Sequence, residues 1–228
     1  MRCYLLRVAS SPGYNSKVHI FAFDHYKKTD SGNDEFSKQA NHFYLYGYFE
    51  SFFFEKFKDL IERYFMNAKP RFDYMALYPT GKQNNFNPHM DNLLKKVAAA
   101  TGMPYKEILR RNKDIEPNHS LKTFEERKTN IIGSIDILED VQGKRILVVD
   151  NTSTTGISLI DVTNQVLAKG ATAVVCLCLS LSDREIETDF DLNLSLGKQW
   201  DVNKIIATFK SKKVPKEARE KWKLAQAR

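Results

Sequence analysis

Hydrophobic and polar positions alternate in two opening segments, CYLLRVA (3–9) and KVHIFAFDHYKK (17–28). A period of two turns one face of each segment toward a core, which is the mark of strands. SSPGYNS between them is turn chemistry, so the pair predicts an antiparallel hairpin. TDSGNDEFSKQAN (29–41) is polar throughout and predicts a loop. FYLYGYFESFFFEKFKDLIERYFMNA (43–68) is heavily aromatic. Its second half has helical spacing, with Phe54, Phe57, Leu60, Ile61 and Phe65 on one core-facing stripe.

FDYMALY (72–78) predicts a short buried strand ending at Pro79, and TGKQNNFNPH a polar loop. MDNLLKKVAAATG (90–102) predicts a helix that stops at Gly102. MPYKEILRRN follows as a strand or short helix, and residues 113–130 lack a period until a charged helical turn. IIGSIDIL (131–138) and RILVVD (145–150) predict strands on either side of a Gln142-Gly143 turn. ISLIDVTNQVLAKG (157–170) predicts a helix capped by Gly170, and ATAVVCLCLSLS (171–182) a further strand. Apolar strands without alternation are buried on both faces, as in parallel sheets. The pattern therefore predicts an α/β fold, a central parallel sheet with helices on both faces.

Composition adds little to that picture. The 228 residues, 42% hydrophobic and 28% charged, suffice for one domain with its own core. Three cysteines (Cys3, Cys176, Cys178) without a CxxC pair argue against a disulfide framework and a zinc site. No stretch approaches the length of a membrane helix, and the apolar N-terminal patch is too short for a signal peptide, so a cytoplasmic, reduced setting is expected. The net charge of +7 permits an anionic partner without selecting one.

Candidate chemistry is concentrated in RILVVDNTSTTGIS (145–158). In open α/β sheets, ligands bind beyond the carboxyl ends of the strands. The helix start that follows presents free N–H groups and positive dipole to an anion. Gly156 allows close backbone approach, and Thr152, Ser153, Thr154, Thr155 and Ser158 can donate hydroxyl hydrogen bonds to phosphate oxygens. Asp150 has the wrong sign for phosphate and the right one for sugar hydroxyls, so a sugar phosphate fits better than free phosphate. A Thr-rich loop that merely caps a helix is the competing reading. GxxxxGK[ST] and GxGxxG are both absent.

ILVVDNTSTTGIS resembles the 5-phosphoribosyl-1-pyrophosphate (PRPP) motif of type I phosphoribosyltransferases. The likeness extends over roughly residues 50–182. YPTGK, MPYKEILRRN, LKTFEERKTNIIGSI and KGATAVVCLCLS are similar in order to the ComF-type, competence-associated branch. It implies a phosphoribosyltransferase-like domain over 49–200, an N-terminal hairpin and aromatic hood over 1–48, and a basic extension over 201–228. By the resemblance, Asp150 and Asn151 are the catalytic pair. Thr152, Ser153, Thr154, Thr155, Gly156 and Ser158 would cradle the 5′-phosphate. Thr80, Gly81 and Lys82 would contact pyrophosphate, with Arg110, Arg111, Lys122 and Arg127 supplying charge. Residues 112–127 would form a mobile loop over the site. Mg²⁺ would be held mainly by PRPP, and a homodimer is compatible with the family.

Three departures qualify the likeness. Asn151 stands where the family has a second acid, leaving less negative charge beside an oxocarbenium-like transition state. Thr154 stands where purine-salvage members carry a carboxylate. The cysteine-rich N-terminal zinc module of ComF-type members is missing. Three readings follow: Mg²⁺-dependent phosphoribosyl transfer from PRPP to an unidentified acceptor, a non-catalytic phosphoribosyl or nucleotide-binding regulator, and a nucleic-acid-associated accessory protein. The last draws on KSKKVPKEAREKWKLAQAR, with eight basic residues in nineteen and Trp222 among them. A solvated helix docked through Val214, Trp222 and Leu224 is the plainer reading of that tail. His89 and His119 are candidate acid–base groups, or simply solvated loop residues.

Overall fold

The computed structural model describes residues 4–9, 18–29, 32–68, 70–117, 120–121, 123–182 and 195–200. Strands β1 (Tyr4–Ala9) and β2 (Val18–Tyr26) form the expected antiparallel hairpin. A two-residue ladder, β3 (Lys28–Thr29) with β4 (Gly32–Asn33), leads into helix α1 (Glu35–Tyr46). Helix α2 (Glu50–Leu60) runs on into a π turn, Ile61–Phe65. Then come β5 (Tyr74–Leu77), α3 (Pro88–Thr101), β6 (Leu109–Arg111), α4 (Phe124–Ile131), β7 (Ile135–Ile137), β8 (Arg145–Ser153), α5 (Ile157–Ala168), β9 (Ala173–Ser182) and β10 (Ser195–Trp200).

The central sheet has the order β10-β1-β2-β9-β8-β5. Strands β2, β9, β8 and β5 are mutually parallel, and β1 and β10 extend the edge antiparallel. Helices cover both faces, as an unbroken run of buried residues in β9 requires. On one face, Leu147, Val149, Val175 and Leu177 meet Phe43 of α1, Phe53 and Phe57 of α2, and Leu93 and Leu94 of α3. On the other, Ile146, Val148, Val174 and Cys176 meet Leu159, Ile160, Val162 and Val166 of α5. Each such side chain, fully buried, contributes roughly 1.5–3 kcal/mol. Cys176 and Cys178 are packed here as small apolar residues.

Several local expectations are corrected. The polar stretch 29–41 is not a loop, because α1 starts within it. Asp34 caps that helix by accepting from the Ser37 N–H at 2.8 Å, and Phe36, Ala40 and Phe43 give it an apolar stripe. Gly47, at φ 76°, ends it. Of the stripe expected here, Phe57, Leu60, Ile61 and Phe65 are fully buried, and Phe53 joins them in place of Phe54, which is half-buried. Residues 131–138 form a strand only from Ile135 to Ile137, paired with β6 in a separate two-stranded ladder outside the central sheet. The first strand of the motif is longer than expected. It continues three residues past Asp150, with Thr152 opposite Ser180 and Ser153 opposite Leu181.

Candidate functional site

Beyond the carboxyl ends of β5 and β8 lies an open cavity of about 200 Å³. Parallel neighbours β5 and β8 bring two loops to the same edge: Pro79-Thr80-Gly81 after β5, and Thr154–Ser158 after β8. The floor is the end of β8, Asp150 to Ser153.

Gly156 (φ 80°) makes the turn from strand to helix, and its carbonyl accepts the Ile160 N–H at 2.8 Å. That left-handed conformation is one that glycine adopts without strain. Gly156 has no side chain with which to cap α5, and Gly156 through Leu159 at the start of that helix line the cavity. The Thr155 hydroxyl accepts from the Ile157 N–H at 3.3 Å. The Thr152 hydroxyl is held by Ser180 Oγ at 2.8 Å, so this candidate is engaged across the sheet.

Asp150 sits beneath these hydroxyls. Its Oδ1 accepts from the Asn151 N–H at 2.8 Å. Burial pushes its carboxyl up to about 6, and the Asn151 N–H and the nearby Arg111 charge counter that only in part. Its residue surface opens partly to the cavity while protein atoms crowd the other sides, so the upward direction follows from the crowding. Tyr44, on the adjoining wall, has its phenol pushed up by burial and then by the Asp150 charge.

The cations divide. Arg111 is 1% exposed and lines the cavity. Its Nε donates to the Thr80 carbonyl at 3.0 Å, and Nη1 donates to the Ser134 hydroxyl. Its guanidinium lies 5.2 Å from the Tyr78 ring centroid. Arg111 thus braces the loop after β5 from beneath. Arg127 lines the cavity as well, with Nε and Nη2 donating to the Leu121 carbonyl at 3.1 and 2.9 Å. Lys82 and Arg110 are not on the cavity wall. Lys82 Nζ reaches Asp114 at 3.0 Å, and Arg110 Nη2 reaches Asp136 at 2.9 Å, both at the surface. Lys122 and His119 lie outside the described residues. His89 is not on the wall either; its imidazole packs on Gly47. Thr80, Gly81, Arg111, Arg127 and Asp150 through Gly156, with Ser158, are brought together.

Sequence reasoning missed Tyr44, Tyr78, Asn87 and Met90, which also line the cavity, while Ile115, Glu116 and Pro117 on its wall fall within the 112–127 segment expected over the site. Asn87 had a legible signal, since Asn-Pro is a helix start. Its Oδ1 accepts from the His89 and Met90 N–H groups, and its amide donates to the Tyr44 carbonyl at 2.8 Å. Among the described residues, no group of three or more His, Cys, Asp or Glu is placed to hold a metal ion. A divalent cation fits here only with the ligand's own oxygens as most of its donors, beside the carboxylates of Asp150 and Glu116.

No family model matches the chain, and no curated protein does. Among solved structures it is similar to a purine phosphoribosyltransferase from Pyrococcus horikoshii Ot3, with 16% identity, 62% of this chain and 81% of that one covered, and a TM-score of 0.37. It is similar also to a hypoxanthine-guanine phosphoribosyltransferase from Bacillus anthracis, with 17% identity, 64% and 78% covered, and a TM-score of 0.37. Overlaps this loose establish neither a common fold nor a common activity.

Proposed function

We propose that the cavity binds the 5-phosphoribosyl group of PRPP and transfers it to an acceptor. One observation carries this reading. A half-buried carboxylate, Asp150, a run of hydroxyls and a helix start with a glycine at its N-cap line one cavity with the loop that follows the adjacent parallel strand. That combination suits a sugar that bears a phosphate. The N–H groups at the start of α5, with Thr154, Thr155 and Ser158, would hold the 5′-phosphate. Asp150 would accept hydrogen bonds from ribose hydroxyls, and Asn151 would add an amide. Gly81 would offer its backbone N–H to the pyrophosphate, while the Thr80 N–H, held by the Asn85 carbonyl at 2.9 Å, would shape the loop. Mg²⁺, bound with the diphosphate, would neutralise charge on the leaving group. Catalysis of this kind rests on positioning and electrostatics rather than on a protein nucleophile.

The test is pyrophosphate release from PRPP and Mg²⁺ in the presence of a panel of nucleobases and amines. Release above the rate with Asp150→Ala supports the reading. A wild type that binds PRPP yet releases nothing across the panel favours the second reading, a phosphoribosyl or nucleotide-binding regulator. Two observations favour that alternative: Asn151 in place of an acid, and Lys82 and Arg110 both paired away from the cavity. The nucleic-acid reading rests on the +7 charge and on a basic tail outside the described residues. A steep salt dependence of DNA or RNA binding would support it.

A further inference from the structure

The last turn of α1 brings Tyr44 to the cavity wall, and three contacts fix it there. Phe43, fully buried, packs against Phe53 of α2 with ring centroids 5.0 Å apart. The Asn87 amide, at the start of α3, donates to the Tyr44 carbonyl at 2.8 Å. Gly47, which ends α1, lies so close to α3 that a Cβ there would meet the His89 imidazole at 2.7 Å. The end of α1 is therefore seated on the first turn of α3, and Tyr44 projects from a backbone held in place. Its phenol is pushed up by burial and then by the Asp150 charge, with the Asn87 side chain countering in part. The phenol thus keeps its proton at neutral pH and lies within the field of that carboxylate.

We propose that Tyr44 is a specificity-determining residue, donating its O–H to the same sugar hydroxyl whose proton Asp150 accepts. The inference rests on the phosphoribosyl reading of this cavity. A hydroxyl has one proton to give and two lone pairs to fill, whereas an ionised carboxylate only accepts. Asp150 therefore takes the proton and leaves the lone pairs in need of a donor. Several donors around the carboxylate are already engaged. The Thr152 hydroxyl is held by Ser180, and Arg111 donates to the Thr80 carbonyl and the Ser134 hydroxyl. Lys82 and Arg110 are off the wall. Asn151 can add its amide from β8, and Tyr44 brings a hydroxyl from α1, a separate element. A tyrosine has two side-chain torsions, so holding its O–H in place costs little conformational freedom. A deoxy sugar would leave the Tyr44 and Asp150 groups facing each other with no oxygen between them.

The experiment is calorimetric titration at pH 8 of ribose 5-phosphate and its 2-deoxy and 3-deoxy analogues into the full chain. Tyr44→Phe keeps the ring and removes the donor. It should melt as wild type does and bind ribose 5-phosphate about 10-fold more weakly. In one of the two deoxy sugars that penalty should vanish, because the hydroxyl that Tyr44 serves is missing. Tyr46→Phe, at a position 59% exposed and off the cavity wall, should bind every sugar as wild type does. Ribose 5-phosphate bound equally by wild type and Tyr44→Phe overturns the inference and leaves the phosphoribosyl reading standing. So does a Tyr44→Phe penalty that persists in both deoxy sugars, or a Tyr46→Phe penalty of the same size. A wild type that binds no ribose 5-phosphate removes the phosphoribosyl reading itself, and this inference with it.

Discussion

Replacing Asp150 by Asn should make the folded protein more stable at pH 8. In the folded state burial holds the carboxyl at about 6, against an ordinary 3.8, with the Asn151 N–H and Arg111 offsetting part of the effect. The sign follows from linkage. An acid whose folded value lies above its unfolded one contributes stability in full below the unfolded value, and that stability is lost as pH rises through the folded value. The gap between 3.8 and 6, discounted for the open cavity side, makes the ionised group cost about 2–3 kcal/mol at pH 8. At pH 4 most of that cost is absent, because the group is largely protonated in the folded chain and partly so in the unfolded one. Asparagine keeps the shape and the oxygen that accepts from the Asn151 N–H. Urea unfolding should therefore show a midpoint about 1 M higher for Asp150→Asn at pH 8, and little difference at pH 4. A variant no more stable than wild type at pH 8, or equally stabilised at both pH values, would refute the reasoning. A group kept at this cost is explained by a task, here the sugar hydroxyls.

Three further outcomes are expected. Gly156→Ala should lose about 1 kcal/mol of stability by urea unfolding, because alanine is strained at φ 80°, and should lose phosphate-ester binding as the α5 N–H groups shift. Arg111→Met should lose about 3 kcal/mol, since Thr80, Ser134 and Pro79 forfeit a buried donor; it should also raise the pH midpoint of the Asp150 effect, as that carboxyl loses its nearby cation. Lys82→Ala should leave the melting temperature unchanged, because its pair with Asp114 is exposed. If Lys82 swings inward for pyrophosphate, the variant should weaken PRPP binding and spare ribose 5-phosphate, both read by calorimetry.

The strands β8 and β9 and the helix α5 were legible because their signals are local: unbroken apolar runs, a glycine at each turn, and a regular helical period. Helix α1 was not, because its apolar stripe of Phe36, Ala40 and Phe43 is diluted by charged and amide residues that face solvent. The three extra residues of β8 were hidden for another reason. Asn-Thr-Ser reads as a loop, and only its pairing with Ser180 and Leu181 of β9 holds it extended. The candidate site divides the same way. The hydroxyl run and Asp150 announce themselves in sequence, whereas Tyr44 and Met90 reach the cavity through packing of distant elements. The pairing of Lys82 with Asp114, 32 residues on, could not be read from spacing.

The most direct test of the central claim is calorimetric titration of PRPP, with and without Mg²⁺, into wild type and Asp150→Ala. The account predicts saturable binding that strengthens with Mg²⁺ and is lost in Asp150→Ala, a variant that remains folded. Absence of heat in the wild type under both conditions, or binding untouched by Asp150→Ala, would contradict it.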